Sequence, residues 1–515
     1  MKTFTPLRTP RLGAAALGLA LAVVSGCGDF LDVPPQGQLT EEQIRTDPDA
    51  ARKLVDGVYN IMYLGGFGED VHSLQYIVLT NVASDDADKG SSPQDYAPAA
   101  EVDNFTLNST NGIVNNTWKG YFQAVTRANQ ALDKISLSPA PEATRNRLIG
   151  EVRFLRGYFY FNLVRFFGGV PKLDRVPATS EINNPALQQR ASADEIYQLI
   201  TEDLEFAVAN LPLKGQTETG RVTKAAAQTL LAKVSLYQKN YQRAFALTSE
   251  ITGGQSGAYG LYPNYANIWR EVGANSEESI FEVQTNINAA CNNSAINIYA
   301  VSQGPRSGGK GGWADLGFGF NNPTRALADA YEPGDRRREG TIIFINPTTP
   351  TGSTGTVLWD GFRIPSQDSV ENARYNYKAY HSRRSERNCG NNDYLPKNLR
   401  ILRYAEVLLI QAEAALQLGN AAAAATALNL VRARAGLGPV SATLANIWGE
   451  RRVELAMEHD RFFDLVRQES VQPGRIVGIF AAQGKTFVKG KNELFPIPQE
   501  QIDLSGNQLT QNPGY

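Results

Sequence analysis

Residues 400–436 read RILRYAEVLLIQAEAALQLGNAAAAATALNLVRARAG. Val407, Leu408, Ile410, Ala414, Ala415 and Leu418 recur near the helical period and predict a helix over about Tyr404 to Leu418. Gly419-Asn420 is a stop followed by a turn. A second helix is predicted over about Ala421 to Arg434, with Leu428, Leu430 and Val431 on its apolar side. Its five opening alanines favour helix and leave room for a close neighbour, and Gly436 with Gly438-Pro439 ends it. Small residues facing across a short turn suit an antiparallel pair of tetratricopeptide type. Such a pair cannot bury its apolar face alone, so further pairs are expected.

A second copy lies upstream. Ala232, Leu236, Asn240 and Ala244 fall on Ala412, Leu416, Asn420 and Ala424 in constant register. They predict helices over Thr223 to Lys239 and Gln242 to Ile251. Further helices are predicted near Asp49 to Tyr63, Trp118 to Leu132, Arg147 to Phe167, Ala193 to Leu211 and Leu444 to Arg467. Asp70 to Asp103 reads as polar and irregular. From Thr252 to Leu399 glycine, asparagine, serine and aromatics rise and helical periodicity fades. Short strand-like pieces, Ser279 to Gln284 and Thr341 to Phe344, and one short helix, Thr324 to Tyr331, interrupt it. A long irregular region on a rigid scaffold is where binding residues concentrate. The expected fold is all-α, with helix pairs carrying a loop-rich ligand-binding region over 252–399.

The N-terminus is an export signal. Lys2, Arg8 and Arg11 are basic, Leu12 to Val24 is apolar, and Val24-Ser25-Gly26-Cys27 fits a lipoprotein cleavage site. Residues 1–26 would be removed and Cys27 lipidated; the alternative is a plain secretory peptide cleaved elsewhere. Gly28 to Gln38 reads as a tether, and Thr40-Glu41-Glu42 as a helix start. No later apolar run reaches the ~18 residues of a membrane span. Cys291 and Cys389 could pair in an oxidising compartment or remain free thiols. The net charge of -2, with no basic patch interleaved with aromatics, excludes a nucleic-acid footprint.

Candidate chemistry is mostly binding chemistry. Asp85, Asp86 and Asp88 could supply carboxylates for glycosidic cleavage, yet no second acid is placed opposite them. The same segment makes a poor calcium loop, with Gly90 where a ligand belongs. The three histidines, His72, His381 and His459, lie in no zinc motif, and 307–312 lacks phosphate-loop spacing. No metal or cofactor is expected. Glu406, Arg432, Arg451, Glu454, Glu458 and Arg461 read as structural ion-pair partners, the last three spaced for pairing along one helix. Sugar rings present apolar C–H faces that stack on aromatic planes, so a recognition surface needs aromatics on polar loops. Trp313, in GGKGGWADLGFGFNNPT, fits that description whether exposed or buried, and Phe318 and Phe320 share its loop. Tyr96 follows the acidic segment, with Asp85 and Asp88 as possible hydroxyl partners. Trp118, Trp269 and Trp448 sit in helix-like patterns and are expected in the core.

Four stretches carry a family resemblance. They are RYAEVLLIQAEA with LNLVRARAG, ERRVELAMEHDRFFDLVR at Glu450 to Arg467, LFPIP at Leu494 to Pro498 with the terminal LTQNPGY, and CGDFLDVPPQGQLTEE at Cys27 to Glu42. Together they resemble the SusD/RagB family of bacterial outer-membrane lipoproteins. The resemblance implies a helical region over 27–251, the loop-rich region over 252–399, and a C-terminal helical region over 400–515. It implies a lipid-anchored, surface-exposed binder of glycans that works with a SusC-like TonB-dependent transporter in nutrient uptake, without catalysis. Family members place a tryptophan before the PT-x-x-L-x-DAYE helix, here Pro323 to Glu332, which favours Trp313. Some members bind peptides, and a helical-repeat scaffold without a ligand surface is a further alternative.

Overall fold

The computed structural model describes residues 40–181, 184–286, 295–310, 313–347, 355–388 and 390–515. The signal peptide, Cys27, the Gly28 to Gln38 tether, Cys291 and Cys389 lie outside them. The scaffold helices are α1 (Ala50–Asn60), α2 (Gly112–Ile135), α3 (Glu142–Phe167), α4 (Ala193–Asn210), α5 (Lys224–Tyr237), α6 (Tyr241–Thr252), α7 (Tyr404–Gln417), α8 (Ala421–Ala435), α9 (Leu444–Glu454) and α10 (Arg461–Glu469). From α1 to α9 each packs on the next in chain order, and α6 lies directly on α7. The chain therefore leaves the stack at Thr252 and rejoins it where it left.

The two repeat copies close in the same way. Lys239 and Gly419 adopt left-handed backbone, at φ +58° and +77°. Asn240 and Asn420 then cap the following helix, their side chains accepting from Arg243 N at 3.2 Å and Ala423 N at 3.1 Å. Their own N–H groups donate to Ser235 O and Ala415 O, both at 2.8 Å. Ala232, Ala244, Ala412 and Ala424 are fully buried, and Ala232, Leu236 and Ala244 pack against Ile410 and Ala414. The small residues admit the close approach that the sequence implied. Helix α3 is buried on nearly every side from Phe154 to Phe167, which is why it shows no amphipathic stripe.

The strands of the excursion, joined by one earlier strand, form two-stranded antiparallel ribbons. β1 (Ala87–Gly90) pairs with β3 (Phe320–Pro323), β2 (Ser279–Val283) with β8 (Leu399–Arg403), β4 (Ile342–Phe344) with β7 (Arg374–Asn376), and β5 (Thr356–Val357) with β6 (Arg363–Ile364).

Two expectations are corrected. Asp70 to Asp103 is not an irregular polar loop: it holds helices at Leu74–Ile77 and Ala97–Asp103, a π-helical turn at Val78–Val82, and β1. Its acids Asp70, Asp85 and Asp86 are buried. Leu444 to Arg467 is not one helix either. It breaks after α9, with Met457 and His459 at φ +66° and +73°. The break sends its charges to different partners. Glu454 meets Arg337 at 2.9 Å, Arg403 at 2.6 Å and Arg434, whereas Glu458 meets Arg403 at 2.7 Å and Lys378 at 2.6 Å. These pairs are tertiary, not the pairs along one helix that spacing suggested. Arg451 with Glu406 at 2.9 Å and Arg467 with Glu413 at 2.5 Å join α9 and α10 to α7.

Candidate functional site

Phe67 lies in Gly65-Gly66-Phe67-Gly68 and is 58% exposed. Burying a phenylalanine side chain is worth about 1.5–3 kcal/mol, and this ring forgoes much of it. Helix α2 holds the loop that carries it. A Cβ on Gly120 would lie 2.3 Å from the Asp70 carbonyl oxygen, so only glycine lets this loop cross the helix. Asp70 N–H donates to Asn116 O, and Asn116 Nδ2 to Phe67 O, both at 3.3 Å. Buried Gln75 donates to Gly66 O at 3.2 Å and Gly68 O at 3.0 Å.

The same Gln75 fixes a second ring: its Oε1 accepts the Tyr96 hydroxyl at 3.2 Å. Burial, with the Asp70 carboxyl nearby, pushes the Tyr96 pKa up to about 12, so that hydroxyl stays a donor. Tyr96 adopts left-handed backbone at φ +48°, which costs about 1–2 kcal/mol for a residue with a side chain. Strain of that kind persists where the surroundings over-determine it.

The third ring arrives through the β1–β3 ribbon. Gly90 opposite Phe320 brings Phe318 to the Tyr96 segment. Phe67 and Phe318 stack at 6.4 Å with 29° between planes, while Phe67 and Tyr96 meet at 5.9 Å and 84°. Tyr96 rests edge-on against Phe320 at 6.1 Å. The result is an aromatic corner, two rings nearly parallel and one nearly upright. Arg306 pins it, contacting Asp95 and Ser91 Oγ and donating to Phe318 O at 3.3 Å. The Lys89 ammonium donates to Ser92 O at 2.8 Å and Asp95 O at 2.9 Å.

Residues 277–515 match the SusD family model, and residues 29–236 match a family described as starch-binding, associating with the outer membrane. A solved laminarin binding SusD-like protein is 31% identical, with 90% of this chain and 99% of that one covered at a TM-score of 0.76. The chain belongs to the SusD family. Surface glycan-binding protein A from Bacteroides fluxus is 26% identical over 90% of this chain and 99% of its own, at a TM-score of 0.72. SusD-like protein P2 of Formosa agariphila is 26% identical over 96% of this chain and 98% of its own.

In this SusD-family chain the sequence candidates separate. Tyr96 and Phe318 come together at the corner. Phe320 is 4% exposed and supports it from beneath. Trp313 stands elsewhere: it is half-buried, its indole donates to Ser369 O at 2.7 Å, and it packs on a small core containing Leu316, Ile343, Val370 and Tyr375. No ring contact joins it to the corner among the described residues. Asp85 is buried against Arg461 and Arg452 rather than offered to a ligand. Asp88 lies in β1 with its carboxylate 3.6 Å from Lys485. The acid beside Tyr96 is Asp95. Phe67 is not among the sequence candidates, although it too lies among glycines, as Trp313 does. Among the described residues no helix is long and apolar enough to cross a membrane.

Proposed function

We propose that this chain is a cell-surface lipoprotein that captures glycan on the Phe67–Tyr96–Phe318 corner and works with a SusC-like TonB-dependent transporter in nutrient uptake. The observation that carries the reading is the exposed Phe67 ring, held out by a glycine turn and flanked by two fixed aromatic rings. Apolar sugar faces stack on such rings, while Asn, Gln and backbone groups around them serve the hydroxyls. The relatives whose names state laminarin or surface glycan binding support the same assignment. Lipid on Cys27 and the tether behind it would hold the protein at the outer membrane. A peptide-binding site would want an acid- or base-lined pocket, whereas at this corner Arg306 is paired with Asp95 and Lys89 is taken up by backbone carbonyls. The proposal includes no catalytic step.

Affinity electrophoresis of Gly28 to Tyr515 through gels containing different polysaccharides tests it, beside Phe67→Ala and Trp313→Ala. Retardation by a glycan that Phe67→Ala loses and Trp313→Ala keeps is the expected result. Loss only in Trp313→Ala would move the site to the small core on which Trp313 packs. Absence of retardation by every glycan would remove the reading.

A further inference from the structure

Resting on the glycan-binding reading, we infer that the corner takes uncharged polysaccharide and discriminates against uronate-containing or sulfated chains. The inference comes from the charges around the rings. Three segments carry them, 64–69, 88–96 and 313–320, with Arg306 behind. Their ionisable side chains are Glu69, Asp88, Lys89, Asp95, Tyr96 and Asp315. Glu69 lies 3.6 Å from Lys119 and Asp88 3.6 Å from Lys485. The Lys89 ammonium is taken up by two carbonyl oxygens. Arg306 is paired with Asp95, and Asp315 accepts Ser307 N–H at 2.5 Å. Tyr96 is a neutral donor.

A carboxylated or sulfated sugar docking here would lose hydration without gaining a free cation. Burying a charge without a partner is unfavourable, whereas a neutral hydroxyl needs only a donor or acceptor of its own strength. The Arg306–Asp95 pair is therefore a selectivity device as well as a brace. It keeps an arginine beside the rings with its charge balanced by the Asp95 carboxylate.

The test compares retardation by a neutral β-glucan, a neutral α-glucan, polygalacturonate and dextran sulfate, each at low salt and at ~0.5 M NaCl, where exposed charges are screened. Retardation by a neutral polymer, changing less than about twofold with salt, is expected, with none by the polyanions. Asp95→Asn releases Arg306 and should add polyanion retardation that ~0.5 M NaCl removes. Wild-type retention by a polyanion, abolished by salt, would overturn the inference and leave glycan binding standing. An Asp95→Asn variant that stays folded by circular dichroism yet gains no polyanion retention would also overturn it. Absence of retardation by all four polymers would count against this inference and the parent reading together; polyanion retention that Phe67→Ala abolishes would sink the inference and keep the parent alone.

Discussion

Arg461 grips Asp85 through two parallel bonds, Nε to Oδ1 at 2.6 Å and Nη2 to Oδ2 at 2.8 Å, across 376 residues of chain. Both side chains are buried, and Arg452 adds a 3.0 Å contact to Oδ2. Burial raises the Asp85 pKa, but the charges of Arg461 and then Arg452 outweigh it and hold the carboxyl below its usual range. Removing one member of a buried pair strands the other charge, at a cost of about 3–5 kcal/mol. Asp85→Asn should therefore destabilise the fold by that order while the folded fraction keeps its glycan retardation. Urea denaturation beside affinity gels checks both. A stable variant that no longer binds would return Asp85 to the site.

Phe67 and Trp313 should separate cleanly. Phe67→Ala removes a ring that is 58% exposed, so stability should stay within about 0.5 kcal/mol. Affinity should fall on the order of tenfold, about 1.4 kcal/mol. Trp313→Ala removes a half-buried ring with a bonded N–H, and fully buried Trp→Ala changes cost about 3–5 kcal/mol. A loss of about 2 kcal/mol in stability with unchanged affinity is expected, scaled from that figure. Titration calorimetry and thermal unfolding on the two variants decide it; the opposite pattern would place the ligand at Trp313.

The caps offer a test of the repeat. Asn240→Ala and Asn420→Ala each remove one side-chain acceptor at an exposed helix start and should each cost about 1 kcal/mol. Near-equal losses in urea midpoint are expected because the two turns share geometry. A loss at one site alone would mean that the shared register does not reflect shared energetics.

That repeat was legible because its signals are local: a left-handed residue, an asparagine cap and small residues at fixed spacing. The scaffold followed from it. The site was less legible because the β1–β3 ribbon joins Gly90 to Phe320, and pairing at that separation leaves no mark in either stretch. Asp85 fell in a stretch that read as a polar, irregular loop for the same reason, since its partner Arg461 sits near the other end of the chain. The break at Met457 to His459 was hidden because Glu454 and Glu458 suit a helix locally, and only their distant arginines pull them apart. Phe67 was different: its glycine-flanked context was readable, and the aromatic criterion applies to it unchanged.

Stability should fall as pH drops from about 6.5 towards 4, the span between the ordinary histidine pKa and the depressed folded values. His72 donates from Nδ1 to Met62 O at 3.0 Å and accepts the Tyr158 hydroxyl at Nε2, at 2.7 Å. His459 lies between Thr80 Oγ1 at 2.8 Å and the Tyr299 hydroxyl at 3.1 Å. Burial lowers their pKa values to about 4 and about 3. Both stay neutral in the fold while the unfolded chain takes up two protons, so each removes about 1.4 kcal/mol per pH unit as pH falls. Asp70 opposes them. Burial, acting against its backbone donors, raises its pKa to about 7, so there the folded state holds the extra proton. These three groups leave a net of one proton, or about 1.4 kcal/mol lost per unit between pH 6 and 4.5, and buried His381, whose pKa burial also lowers, adds to the loss. His72→Gln, which can still donate to Met62 O, should reduce the loss across that window by about 1.4 kcal/mol per pH unit. Urea midpoints measured at pH 6.0, 5.5, 5.0 and 4.5, all within the ~6.5 to ~4 span, provide the check. A flat wild-type profile, or an equal slope in the variant, would mean that the buried histidines do not set the acid stability.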